Sequence, residues 1–286
     1  MPAPKPLAAL AAAVAIAASA ATLGAAGGGA LPAPWTEDGL SGFARDAARP
    51  PKASAETAKR RTASPSCSRS HYDYSVSFPR SMDGGGPVDK AVAALASDFM
   101  VQAREDAGVF MSFTRECGED SPEASLASYF RVTSSPYAVS GSSYSVLFSV
   151  STMMAGSRGS KGYYAANLSA DGTEITLGRL FPDPGGSLTA LWESVYGGFC
   201  RGHAKTPIIF DSLPCVPPGE PAPPAPDSFV SPGEPLDGTG HALLTSLGLS
   251  LHLGDYESYS REEGVQYLDI PKADLLAMGA DPAIWK

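Results

Sequence analysis

Residues 163–181 read Tyr-Tyr-Ala-Ala-Asn-Leu-Ser-Ala-Asp-Gly-Thr-Glu-Ile-Thr-Leu-Gly-Arg-Leu-Phe, and this stretch decides the fold class. Its first part, Tyr163–Ala170, is rich in the aromatic and apolar side chains that suit a strand. Asp171-Gly172 is a strong signal for a hairpin turn, and it leads into a second predicted strand at Glu174–Leu177. The stretch therefore predicts antiparallel sheet.

Upstream of this stretch, apolar periodicity predicts further strands and one helix. Tyr72–Phe78 alternates apolar with polar residues and is followed by Pro79, which is typical of a half-buried strand. Apolar residues recur at helical spacing over Val88–Ala103, which predicts an amphipathic helix of roughly four turns. Ser128–Thr133 is strand-like, and Tyr144–Val150 is the clearest strand in the chain.

Downstream, a second amphipathic helix is predicted at Leu188–Phe199. Prolines are dense between residues 214 and 235, so this segment is expected to be a surface insertion rather than a helix or a central strand. Short strands and a final helix follow at Ala242–Thr245, Leu249–Leu253, Val265–Ile270 and Lys272–Met278. The order predicts an α+β fold, with two main amphipathic helices and a short C-terminal helix on an antiparallel sheet.

Residues 1–26 have the composition of a signal peptide. Lys5 supplies a positive charge, and Leu7–Ala21 is an unbroken run of apolar and small residues. We therefore expect export to the periplasm or the cell exterior, with no stable membrane insertion once the segment is cleaved. A retained transmembrane anchor is the alternative. No cysteine lies near the cleavage region, so a lipid anchor is not expected.

Residues 27–66 consist of Ala, Pro, Gly and charged residues without apolar periodicity. Such a segment cannot bury enough apolar surface to fold alone, so it predicts a disordered linker. The folded part is expected to begin near residue 67.

The even set of four cysteines suits disulfides in an oxidising compartment. Three pairings are possible, and we favour Cys67–Cys117 together with Cys200–Cys215. Cys200 and His203 are also spaced like zinc ligands, but no second pair of this kind accompanies them. We therefore expect neither a metal nor another cofactor.

No catalytic motif is evident, so the chain is not expected to be an enzyme. Gly-x-Ser-x-Gly, Ser-x-x-Lys and His-Glu-x-x-His are all missing from the sequence. Asp255, Glu257 and Glu262 could serve a polysaccharide hydrolase only if they faced each other across a cleft. On a turn between strands, such carboxylates are more often solvated loop charges.

Charge and exposed aromatic residues bear on possible partners. A net charge of −9 and a pI near 4.9 exclude the basic footprint of a nucleic-acid-binding protein. Arg158 and Lys161 lie in the loop before Tyr163, while Tyr256 and Tyr259 flank the final turn; the candidate contact residues are Arg158, Lys161, Tyr163, Tyr256 and Tyr259. The alternative is that Tyr163 or Tyr164 faces the core.

The chain from Tyr72 to Trp285 resembles the ectodomain of the RsiV-type anti-sigma factors. The same tandem of domains of unknown function accompanies PdaC-type deacetylases and other envelope proteins. The similar segments are Tyr72–Pro79, Val88–Arg104, Ser145–Phe148, Tyr164–Asn167, Asp171–Phe181, Leu188–Phe199, Gly248–Glu257 and Gly264–Pro271. The resemblance implies two subdomains, at residues 67–160 and 161–286, with the Pro-rich insertion 214–235 in the second.

This resemblance implies an exported, non-enzymatic cell-envelope domain that binds a protein such as lysozyme, or a peptidoglycan or other glycan ligand. The negative net charge suits a basic protein such as lysozyme. Relatives often carry a Gly-Gly-Ala-His loop where this chain has Ala155–Lys161 without histidine, so a role for that histidine is not carried over. The alternatives are an envelope polysaccharide hydrolase or deacetylase-associated protein, and a purely structural envelope component.

Overall fold

The computed structural model describes residues 41–51, 53–64, 67, 70–114, 127–154, 159–202, 208–209, 213–214, 216, 220–224, 242–253 and 266–286. These residues form an α+β fold with a five-stranded sheet, a three-stranded sheet, two main helices and a short C-terminal helix, which confirms the predicted fold class. No helix in the described ranges is both long and apolar enough to cross a membrane. The predicted signal segment, residues 1–26, lies outside them.

The first half of the fold is the five-stranded sheet. Its elements are a short helix α1 (Gly42–Asp46), strands β1 (Ser54–Ala63) and β2 (His71–Arg80), helix α2 (Pro87–Phe113), and strands β3 (Ala127–Ala138), β4 (Ser143–Met153) and β5 (Ser160–Ser169). The strands lie side by side in chain order. β2 and β3 are parallel, whereas the other neighbours are antiparallel. A parallel pair needs a crossover connection, which α2 provides.

Helix α2 covers one face of this sheet. Val88, Val92 and Phe99 of the helix are buried with alternate residues of β2–β5 in one apolar cluster. The ring of Phe99 lies 5.2 Å from that of Phe148 and 6.0 Å from that of Tyr164, measured between centroids. Fully burying a side chain of this size contributes about 2 kcal/mol, so this layer accounts for much of the stability of the first half.

The second half adds a smaller sheet and the remaining helices. Its elements are α3 (Leu177–Leu180), α4 (Pro184–Gly202), β6 (Ile208–Ile209), β7 (Leu213–Pro214), β8 (Ala242–Leu244), β9 (Gly248–Leu253), β10 (Gln266–Pro271), α5 (Lys272–Ala277) and a 3₁₀ turn at Pro282–Trp285. β10, β9 and β8 form the antiparallel three-stranded sheet. Trp192 of α4 is buried in one cluster with Leu249 and Ile270 of that sheet, so α4 packs against it.

The smaller sheet also packs on the second face of the five-stranded sheet, but it covers only part of that face. Tyr137, Leu147 and Tyr163 are buried there together with Leu243 of β8. Asn167 of β5, 1 % exposed, joins the two sheets. Its Nδ2 donates to Ala242 O at 2.8 Å, and its Oδ1 accepts from Leu244 N at 2.8 Å and from Ser145 Oγ at 2.9 Å. The polar groups at this junction are therefore paired.

The prediction of a disordered linker over residues 27–66 is wrong from Ser41 onward. α1 and β1 lie in this segment, and β1 pairs with β2 along its 10 residues. The sequence did not reveal β1 because most of its side chains are exposed, so they need no apolar periodicity. Backbone hydrogen bonds to β2 hold the strand instead.

Two further predictions are corrected. The boundary at residues 160/161 falls at the first residues of β5, yet β5 pairs with β4 throughout, so the first sheet continues to Ser169. The predicted strand at Glu174–Leu177 is reduced to isolated bridge residues, of which Glu174 pairs with Leu168. Leu177 begins α3, because the hydroxyl of Thr176 accepts from Arg179 N and caps that helix.

The Pro-rich insertion 214–235 is described only in part. Val216 N donates to the hydroxyl of Tyr196 at 2.7 Å, and Trp192 Nε1 donates to Pro223 O at 2.7 Å. The described part of the insertion therefore lies against α4.

Candidate binding surface

The half of the second sheet face that β8–β10 leave uncovered is the candidate binding surface, and we call it the open face. It lies beside the buried half that is centred on Leu147 and Asn167. By strand alternation its members include Thr57, Lys59, Arg61, His71, Asp73, Ser75, Ser77, Tyr129, Arg131, Thr133, Ser149, Ser151, Met153 and Lys161. All of them are exposed or half-buried, in contrast to the buried residues opposite α2.

A row of cations crosses the open face at right angles to the strands. In register order, the row is Lys59 of β1, Ser75 of β2, Arg131 of β3, Ser151 of β4 and Lys161 of β5. Neighbouring strands lie about 4.8 Å apart, so the cations on alternate strands are roughly 9–10 Å apart at the backbone. Each gap between two cations holds a serine hydroxyl. We call these five residues the cation row.

One carboxylate lies beside the cation row. Asp73 accepts hydrogen bonds from Nε and Nη2 of Arg61, both at 2.7 Å, and its Oδ2 lies 3.7 Å from His71 Nε2. The hydrogen bond from Arg61 lowers the pKa of Asp73, and the charges of Arg61, His71 and Arg131 lower it further. Asp73 therefore stays ionised, and its charge is already matched by Arg61.

Tyrosine rings lie beside two of the cations. The guanidinium carbon of Arg131 lies 4.8 Å from the centroid of the Tyr129 ring, and Lys161 Nζ lies 5.3 Å from that of Tyr163. Cation–π contacts of this kind contribute about 0.5–1 kcal/mol at exposed sites. Each joins a cation to a tyrosine two residues away on the same strand. Arg131 keeps a planar fork of N–H donors that suits a carboxylate or a phosphate.

A second row, made of hydroxyl groups, runs alongside the cation row. Thr57, Ser77, Thr133 and Ser149 occupy it, and Thr57 Oγ1 lies 3.3 Å from Ser77 Oγ. The charged members of the open face are Lys59, Arg61, Asp73, Arg131 and Lys161. The described residues of the face therefore carry net positive charge, opposite in sign to the −9 of the chain.

The predicted contact residues have different outcomes. Lys161 lies on the open face, and its role in binding stays a prediction. The prediction that Tyr163 belongs to an exposed contact surface is wrong: its side chain is 0 % exposed and its ring lies 5.4 Å from that of His252. The smaller sheet covers it, which local sequence could not reveal. Arg158, Tyr256 and Tyr259 lie outside the described residues.

Lys59 and Arg131 were missed by sequence reasoning. Lys59 lies in the segment that was assigned to the linker. Arg131 lies in the predicted strand Ser128–Thr133, between the buried Phe130 and Val132, so strand alternation places its side chain on the opposite face from theirs. Its place in a row with Lys161 and Lys59 depends on the register of β3 with β2 and β4, which no local signal specifies.

Outside the open face, the described residues offer few groups suited to anion binding, metal binding or catalysis. In the glycine-rich loop before α2, Asp83 accepts from the N–H groups of Gly86 and Val88, both at 2.8 Å, so the protein's own carboxylate caps this helix end. No group of His, Cys, Asp and Glu suited to a metal is found among the described residues. Asp255, Glu257 and Glu262, the possible hydrolase carboxylates, lie outside those residues.

The described residues include only some of the cysteines in the predicted disulfide pairs. Cys67 is disulfide-bonded, and its Sγ lies 3.3 Å from Thr114 O, close in sequence to Cys117. Cys117 and Cys215 lie outside the described residues. The pairings Cys67–Cys117 and Cys200–Cys215 therefore stay predictions.

Asn167 begins a match to the N-glycosylation sequon Asn-x-Ser. Its amide nitrogen is buried and donates to the backbone of β8. In this fold the Asn167 side chain links the two sheets by hydrogen bonds and is not exposed as an acceptor for a glycan.

Comparison with known proteins identifies the fold. No family model and no curated protein matches the chain. A member of the DUF3298 family from Bacteroides fragilis superposes with a TM-score of 0.50 at 9% sequence identity, over 82% of this chain and 97% of that one. A DUF3298 family protein from Pseudomonas aeruginosa gives a TM-score of 0.49 at 14% identity, over 81% and 96%. The Bacteroides likeness, at this identity, indicates a shared fold.

Proposed function

We propose that this protein is an exported, non-enzymatic cell-envelope domain that binds a glycan of the peptidoglycan type on its open face. The observation that carries the proposal is the open face itself: β8–β10 leave half of one sheet face uncovered, and its described residues are mainly cations and hydroxyls. The resemblance of the sequence to RsiV-type ectodomains and PdaC-type accessory domains supports an envelope role. The signal-like residues 1–26 support export.

The chemistry of the open face suits a sugar chain better than an apolar partner. Short hydroxyl side chains such as Ser75, Ser151 and Thr133 can each donate and accept hydrogen bonds, which sugar hydroxyls require. Because these side chains are short and mounted on paired strands, they lose little conformational freedom when a ligand binds. Tyr129 adds a ring against which a sugar could pack. Large apolar side chains are few among the described open-face residues, so a hydrophobic protein contact is disfavoured.

Retention on insoluble peptidoglycan tests the proposal. The full-length chain is expected to co-sediment with purified sacculi, and Arg131→Gln is expected to reduce the bound fraction several-fold. Lys90→Gln is a matched control, because it removes an exposed cation from α2, on the opposite side of the sheet. Equal retention of the two variants would show that the open face is not the binding surface. No retention of the folded wild-type chain would refute the proposed ligand.

A basic protein of the lysozyme type is a second candidate, favoured by the net charge of −9 and by the resemblance to RsiV-type proteins. Electrostatic attraction would then come from acidic surfaces away from the open face. We expect such binding to weaken steeply with added salt and to be unchanged or strengthened by Arg131→Gln. Arg131→Gln should therefore weaken binding to a glycan but not to lysozyme. Comparing sedimentation with sacculi and a pull-down with lysozyme separates the two candidates.

A further inference from the structure

We propose that the open face recognises a glycan strand in which an acidic sugar alternates with a neutral one, lying along the cation row at right angles to the strands. This inference rests on the proposed function and narrows its ligand: the glycan must carry acid groups, and their spacing matters. The charged positions of the cation row, rather than the hydroxyls alone, carry the argument.

The spacing of the cations is the first step. Lys59, Arg131 and Lys161 occupy alternate strands in one register row, so they repeat at roughly twice the strand spacing, or about 9–10 Å. A densely charged polymer places its charges much closer together; a nucleic-acid strand has one about every 3.4 Å. Such a polymer would leave most of its charges unmatched on this row.

The groups between the cations are the second step. Ser75 and Ser151 lie between the cations and can hydrogen-bond to a neutral, hydroxyl-rich unit. The acidic units of such a strand would therefore face the cations, and its neutral units would face the serines. Arg131, in the middle, offers a planar fork to a carboxylate, and the lysines at the two ends act as point charges.

The third step concerns Asp73, the one carboxylate among the described residues of the open face. Asp73 would repel an anionic strand if its charge were uncompensated, but Arg61 holds it in a two-bond ion pair with both distances at 2.7 Å. Asp73 lies beside the cation row rather than in it, since its register partners are Arg61 and Tyr129. The ion pair therefore offsets the repulsion that Asp73 would exert on an anion bound at the cation row.

Two glycans that differ only in acid groups provide the test. Peptide-free peptidoglycan strands carry a lactyl carboxylate on alternate sugars, whereas N-acetylglucosamine oligomers of equal length have a closely similar backbone without it. Fluorescence anisotropy with the full-length chain is expected to show at least roughly tenfold tighter binding of the acidic strand, the gain expected from a few exposed ion pairs. Equal affinity for the two would overturn the inference while leaving glycan binding intact.

Variants that remove positive charge test whether the preference for the acidic strand depends on the cation row. Lys59→Gln/Arg131→Gln/Lys161→Gln is expected to abolish the preference for the acidic strand. The control Arg60→Gln/Lys90→Gln/Arg104→Gln removes the same charge from exposed cations off the open face, because Arg60 points to the other face of β1 and the other two lie on α2. The control should keep the preference. If it loses the preference equally, net charge rather than the cation row is responsible, and the inference fails.

Two competing polymers test the charge spacing and the class of the ligand. Inorganic polyphosphate has dense charge, and poly-L-glutamate is an acidic peptide; both should displace the acidic strand only weakly at equal charge concentration. Tighter binding of polyphosphate would contradict the spacing argument, and tighter binding of poly-L-glutamate would indicate a protein partner instead. Thermal unfolding of each variant confirms that it is folded. If neither glycan binds and sacculi are not retained either, the proposed function fails together with this inference.

Discussion

The two halves of one face of the five-stranded sheet differ although the same strands build both. On β5, Lys161 and Asn167 point to the same side, yet Lys161 lies on the open face whereas Asn167 is buried against β8. On β4, Ser151 is half-buried on the open face and Leu147 is buried under the smaller sheet. Position along a strand thus decides whether a residue of this face is buried under the smaller sheet or lies on the candidate binding surface.

The covered half is also closed by the N-terminal segment. Ser41 is buried against β9: its N–H donates to His252 Nε2 at 3.4 Å, and its Oγ accepts from Ser250 Oγ at 2.6 Å. Arg49 stacks 3.9 Å from the centroid of the Tyr137 ring and donates to Pro136 O at 3.1 Å. The covered half therefore depends on contacts between distant parts of the chain in addition to strand pairing.

The largest expected difference between the halves comes from Asn167. Asn167→Leu leaves Ala242 O and Leu244 N without their partner inside the junction, and each buried unpaired group costs about 1–3 kcal/mol. We expect a loss of about 3 kcal/mol in the free energy of unfolding, measured by urea denaturation. Ser151→Ala, on the open half of the same face, should cost less than about 0.5 kcal/mol. Equal losses would remove the distinction between the halves.

A smaller effect is expected from the N-terminal segment. Ser41→Ala removes the cap that accepts from Ala44 N at 3.0 Å and the contact with Ser250 Oγ. We expect a loss of about 1–2 kcal/mol in the free energy of unfolding. Thr57→Ala removes a hydroxyl contact on the open half and is the matched control. A Ser41→Ala variant as stable as the wild type would show that the segment does not close the covered half.

The smallest effect is expected from the ion pair on the open face. The folded-state pKa of Asp73 is lowered from 3.8, so the pair adds stability above the unfolded-state pKa and loses it as pH falls through the folded-state value. Arg61→Gln should therefore lower the thermal midpoint slightly at neutral pH. The difference from the wild type should vanish well below pH 3.8. A difference that persists in acid would have to come from packing rather than charge.

Local patterns in the sequence predicted most of the elements but not how distant ones combine. The alternation in Tyr72–Phe78 and the helical spacing of Val88–Ala103 predicted β2 and most of α2, because both bury one face. β1 has no such face, and the parallel pairing of β2 with β3 depends on the crossover path of α2. Neither leaves a local signal.

The candidate site was predictable only in part for the same reason. Lys161 was identified beside a tyrosine-rich strand and lies on the open face. Tyr163 was assigned to a contact surface, but the smaller sheet, whose strands come much later in the chain, covers it. Arg131 and Lys59 joined the site only through strand register. Side-chain direction can be read from alternation, but partners across a sheet depend on the whole fold.

A titration followed by ¹H–¹⁵N NMR tests the central claim most directly. Peptide-free peptidoglycan strands are added to the isotope-labelled full-length chain, and the backbone amide signals of the two halves are compared. The account predicts that Ser75, Arg131 and Lys161 shift in a saturable manner, while Leu147, Asn167 and Leu243 of the covered half do not. Shifts confined to other surfaces, or none at concentrations where sacculi retain the chain, would contradict it.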